Sequence, residues 1–227
     1  MNRFRALISV ILISGTTAGL LLFGVHHFTV FLLIEKAEIY ESAAERSISE
    51  APHSGAEWSP ADGIERTLFT LLTTVLTAIG FAALLFGTAA LRPASLDWRK
   101  GALWGLAAYA CIDLAPALAL PPQPPGVAAA DLYARQLWWI GTAVSTALGA
   151  GLLLERKRSW PVRETGLFAL VLPHALGAPA STGTSSVPPD LVHRFALVSI
   201  PTTGLFWLAP GSIGGLLYRR SGYADAL

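Results

Sequence analysis

Few side chains in this sequence can hold a divalent cation. His26, His27 and His174 lie in or beside long apolar runs, and Asp113 is the one carboxylate well inside such a run. Glu38, Glu41 and Glu45 follow the first run at steps of three and four residues. Imidazole and carboxylate together suit a borderline divalent metal ion. Ionisable groups at membrane depth are costly in lipid and mark candidate ion or proton pathways. Asp113 falls roughly 18 Å along its helix at 1.5 Å per residue, slightly past the midplane. His174 directly follows Pro173, and proline frees the carbonyl four residues back, so imidazole and backbone oxygen are available together. If the first helix continues beyond Ile34, Glu38, Glu41 and Glu45 share one face with His27, which lies about 16 Å below Glu38. Adjacent histidines point about 100° apart, so at most one of His26 and His27 faces a shared site. The metal set read from the sequence is therefore His27, Glu38, Glu41 and His174, with Asp113 and Arg135 on the transport pathway.

The same residues allow plainer roles. The histidines can be packing groups, the glutamates a solvated face, and Asp113 the packing partner of an arginine such as Arg135. His53 and His193 are weaker candidates, and Cys111 reads as a small packing residue with a soft-ligand role beside Asp113 still open. Trp138 and Trp139 read as interface anchors, with Trp58, Trp98, Trp104, Trp160 and Trp207 as further boundary candidates.

The elements that carry these groups are membrane helices. The chain has 53% apolar and 14% charged residues and a mean hydropathy of +0.53, whereas soluble domains carry about 25% charge. Apolar runs cover 6–34, 67–91, 101–112 (resuming to Leu120), 136–154, 165–189 and 195–218. The fifth is the weakest, because Pro173 and Pro179 break its helical part, 166–178, which is read as a span. The first, after Arg3 and Arg5, is too long for a signal core of about 7 to 15 residues and reads as an uncleaved anchor. Basic residues near the span ends put both termini in the cytoplasm: Arg3, Arg5, Arg92, Arg99, Lys100, Arg156, Lys157, Arg158, Arg163, Arg219 and Arg220 fall on the inner side. The expected fold is all-α, a polytopic transmembrane bundle of about six helices forming a single integral membrane domain, 1–227, with an acidic outer loop, 35–63.

Three outer helix starts carry Asp, three residues, then Arg: Asp62 and Arg66, Asp131 and Arg135, Asp190 and Arg194. An Asp can cap a helix by accepting backbone N–H bonds, with the Arg one turn on beside it. The pattern reads either as three similar helix starts or as three repeated helical hairpins. Nucleotide-binding glycine loops, zinc-protease helices, paired cysteines and serine-hydrolase elbows are absent from the sequence. The near-zero net charge, +1, argues against nucleic acid as a partner. No enzyme and no permanently bound cofactor is expected.

Several stretches resemble the CbtA family of predicted cobalt transporter subunits. They are Ala37-Glu38-Ile39-Tyr40-Glu41, Arg66-Thr67-Leu68 with Gly80-Phe81-Ala82, and Leu114-Ala115-Pro116-Ala117-Leu118 running into Leu120-Pro121-Pro122. Arg135-Gln136-Leu137-Trp138-Trp139, Pro173-His174 with Gly177-Ala178-Pro179, and Phe206-Trp207 complete the set. The resemblance implies cobalt(II) as the transported ion, a bacterial inner-membrane location, a link to cobalamin synthesis, and a small histidine-bearing partner, CbtB. One departure stands out: the family commonly has Pro-Pro-Glu-Leu-Pro-Gly after the third helix, and here Gln123 puts a neutral amide in place of the carboxylate. The alternatives are a non-transporting accessory or assembly membrane protein, or a permease for a chelated metal or anion.

Overall fold

The computed structural model describes residues 2–48, 58, 60–91, 96–155 and 159–220, and among these every regular element is helical. The elements are α1 (Asn2–His27), α2 (Val30–Ile48), α3 (Ile64–Ala90), α4 (Trp98–Tyr109), α5 (Ala115–Ala117), α6 (Leu132–Leu154), α7 (Trp160–Leu176) and α8 (Pro189–Arg220), with a π-helical turn, Ala110–Leu114, joining α4 to α5. Four helices are long and apolar enough to cross a bilayer: Arg3–His27, Ile64–Ala90, Leu132–Leu154 and Pro189–Arg220. Arg92, the Arg156-Lys157-Arg158 cluster, His53, Glu50 and Glu57 lie outside the described residues.

The chain forms two compact units. One takes in Met1–Leu32, Glu45–Ala107 and Pro201–Leu227; the other takes in Leu33–Ala44 and Ala108–Ile200.

In the first unit, α1 packs along α3. Gly15 and Gly19 make the approach possible: a Cβ on either would come within 2.6 and 2.7 Å of the Cα atoms of Ile79 and Val75. Small residues allow helices to approach at backbone level, where association in lipid depends on van der Waals contact. Ala18, Ala78 and Ala82 fill the same seam and are fully buried. The amino-terminal part of α4 and the carboxy-terminal part of α8 cross still more closely. A Cβ on Gly101 or Gly105 would overlap the carbonyl oxygen of Gly211 or Trp207. Aromatic rings complete this core: Trp207 lies 5.0 Å from Phe81, Phe86 stacks on Tyr218 at 6.4 Å, and the Trp104 indole donates to the Leu85 carbonyl at 3.0 Å. Trp207 is thus a core residue, 1% exposed, and not an interface anchor.

In the second unit α6 is central, and the π turn, α5 and α7 all pack against it. Gly149 of α6 and Gly166 of α7 meet backbone to backbone. Tyr109 donates to the Ile200 carbonyl at 2.9 Å, tying the end of α4 to α8. Gly126, at φ 77, turns its loop so that its carbonyl accepts both the amide and the hydroxyl of Ser186, at 3.1 and 2.9 Å.

Two expectations about helix continuity need correction. The first helix does not run on past Ile34 as one rod. It stops at His27 and restarts at Val30, and across the gap the Thr29 amide bonds three residues back, to the His26 carbonyl at 3.2 Å. Conversely, Pro173 does not break the fifth segment. α7 passes through it and ends at Gly177, whose φ of 82 is a left-handed value suited to glycine. A proline four residues from a helix end removes only one ladder bond, and Pro173 is buried by packing.

Candidate functional site

Asp113 sits within the π turn, half-buried. The turn has an identifiable cause in the sequence. Pro116 has no N–H, and just before it the Ala115 amide reaches back five residues, to the Ala110 carbonyl. π turns inside α-helices occur frequently at functional sites. Without an N–H on Pro116, the turn that bears Asp113 lacks the one backbone donor that residue would have supplied.

His174 is half-buried in the last turn of α7, immediately after Pro173. Its ring meets Trp138 of α6 edge to face, with centroids 6.2 Å apart. Trp138 therefore turns inward, while its neighbour Trp139 is 37% exposed. The expectation that both tryptophans anchor at the membrane interface fails for Trp138. The signal that could have found it is helical spacing: Arg135, Trp138, Thr142 and Thr146 recur at steps of three and four and so share one face of α6. Thr142 is fully buried, its hydroxyl on the Trp138 carbonyl at 2.8 Å. Arg135 is half-buried at the start of the same stripe.

The two adjacent histidines part company as their spacing requires, but the inward one is not the one chosen from the sequence. His27 is exposed and stacked on Phe23 at 6.0 Å, so the expectation that it faces the bundle interior is overturned. His26 is half-buried, with Nε2 shielded from solvent and its ring against Phe31. Glu38 and Glu41 are half-buried on α2, and Ala37 of the same helix is fully buried. The Glu41 Cβ lies beside Gly126, near Ser186 and Val187. Glu45 carries no described side chain, and Gln123 is exposed. Among the described residues no three His, Cys, Asp or Glu side chains form a metal-holding group. His193, too, is exposed.

The three Asp and Arg pairs also differ in detail. Asp131 is a true N-cap, accepting from the Ala134 amide at 2.9 Å. Asp62 precedes a glycine cap, Gly63, and turns instead to Arg66 at 3.5 Å. Asp190 lies inside the first turn of α8 with Arg194 exposed one turn on. The expectation of shared capping by all three is therefore corrected: α3 starts two residues after its Asp, α6 one after, and α8 one before. A cap the sequence reading passed over is Asp97, whose carboxylate accepts the Arg99 and Lys100 amides at 2.9 Å each. Those bonds, chiefly the one from Lys100, hold its pKa below the ordinary carboxylate value.

A family model described as "Probable cobalt transporter subunit (CbtA)" matches residues 4–219. The chain belongs to the CbtA family. Neither curated proteins nor solved structures gave a match. As a CbtA chain with four membrane-capable helices, it is a membrane protein and a transport-system subunit, a class not normally enzymatic.

Proposed function

We propose that this CbtA chain forms the membrane path of a cobalt(II) uptake system, with His174 and Asp113 as its ion-handling groups. The observation that carries the reading is one of placement. Both residues sit where proline interrupts the helical ladder, Asp113 in the π turn before Pro116 and His174 after Pro173. The two elements that bear them pack against the same helix, α6. Imidazole, carboxylate and freed carbonyls are ligands a borderline divalent ion accepts and can leave again. Glu38 and Glu41, on α2 of the same unit, collect the cation from the outer solution.

In this reading the chain crosses the membrane six times, with α4 through α5 and α7 as the third and fifth crossings and both termini in the cytoplasm. The third is a continuous helical stretch of 12, 5 and 3 residues. The fifth, at 17 residues, reaches roughly 25 Å, close to the bilayer core with slight thinning. Three hairpins, each ending in a helix that starts near Asp and Arg, form the repeat. Energy or metal delivery comes from a partner, with a small histidine-bearing membrane subunit the natural candidate. Purified protein in liposomes should take up Co(II), and more of it with that partner present. Liposomes that stay impermeable to Co(II) in both cases would leave only an accessory role.

A further inference from the structure

Two polar atoms on the inward stripe of α6 are buried without a hydrogen-bond partner: Trp138 Nε1 and Thr146 Oγ1, the latter on a residue 8% exposed. The stripe meets α7 at both ends, through Trp138 on His174 at 6.2 Å and Gly149 on the Gly166 backbone. Trp138 and Thr146, eight residues or about 12 Å apart along the helix, therefore point along the seam that His174 borders. Indole N–H only donates, and a threonine hydroxyl donates as well as accepts. In hydrocarbon no solvent is present to satisfy such groups, so they call for an acceptor that enters with the substrate. A bare cation offers none and is repelled by an N–H. The outer oxygens of a carboxylate chelator on the cation do offer one, whereas metal-bound water turns its lone pairs to the ion and presents O–H donors.

We propose that the α6–α7 seam recognises the acceptor oxygens of a carboxylate chelator that the cation carries, with Trp138 Nε1 the donor beside His174 and Thr146 a second donor further along. The substrate is thus cobalt(II) held by a carboxylate chelator. The proposal rests on the uptake reading above, and it assigns Trp138 a binding role where an aromatic anchor would have none.

The test uses the full chain in liposomes, with partner if needed, and two probes: Co(II) in a non-coordinating buffer and Co(II) citrate. Trp138→Phe keeps the ring and removes the donor. Loss of a hydrogen bond to a charged complex should raise KM on the order of tenfold with Vmax little changed. Trp139→Phe should match wild type with both probes. A rise confined to citrate is the expected result, because chelator carboxylate is the acceptor, and an equal rise with the buffer-only ion overturns the assignment. Thr146→Val, nearly isosteric, should raise KM in the same direction and decides the matter if Trp138→Phe does not fold. Wild-type KM in both folded variants, with His174→Ala inactive, overturns this seam while leaving the uptake reading intact. Normal transport by His174→Ala overturns the uptake reading itself.

Discussion

Asp97 is the residue whose physics is most fully on view. Its carboxylate is bonded to two amides at the start of α4, and its pKa is lowered for that reason. A depressed acid contributes stability that is fully present above its unfolded pKa, about 3.9, and is lost as pH falls through the lower folded value. The melting temperature of the detergent-solubilised protein should therefore exceed that of Asp97→Asn near neutral pH, and the gap should close as the pH drops below about 4. A gap independent of pH would mean the charge is not what matters. Asp131 makes the comparable bond at α6, and Asp131→Ala should cost about 1 kcal/mol of stability. By contrast Asp190→Ala, inside a helix rather than at its cap, should cost less. These distinctions were not legible in the sequence, where the three Asp and Arg pairs look alike. Capping depends on which residue leaves helical φ and ψ, and at Gly63 and Pro189 the backbone places that boundary one or two residues away from the pattern.

At the scale of elements, the close crossings predict which glycines tolerate a side chain. Gly105→Ala puts a methyl into the Trp207 carbonyl and should destabilise by about 1 to 3 kcal/mol, the usual range for overpacking. Gly141, on α6 with open space around it, should accept Ala with no loss and a gain of up to about 1 kcal/mol from helix propensity. Thermal unfolding in detergent reads both, and equal effects would place the α4–α8 crossing in doubt. Apolar runs located the four membrane-length helices well because bilayer-length hydrophobicity is a strong signal. Breaks were read less well: the run that holds α1 and α2 pauses between His27 and Val30 with no proline in it, and Pro173 lies within a helix that continues. The inward face of α6 was legible from its three and four spacing, but the preference of tryptophan for interfaces masked it at Trp138.

For the whole molecule, composition alone indicated a helical membrane protein, and the run of family motifs indicated cobalt transport. Orientation rests on the positive-inside rule, and it predicts that a reporter fused after Arg158 reads cytoplasmic and one after Ser185 periplasmic. A cytoplasmic reading at Ser185 would reduce α7 to a segment that does not cross. Which helix faces meet was the least legible feature, because hairpins drawn in one dimension do not show it; for that reason His26, not His27, is the half-buried member of the pair. The proposed path depends most directly on His174, the imidazole after Pro173 in α7, which packs against α6. Cobalt uptake into liposomes by His174→Ala, checked as folded by its melting temperature, should fall to the level of protein-free vesicles. Uptake at the wild-type rate by that folded variant would contradict the account.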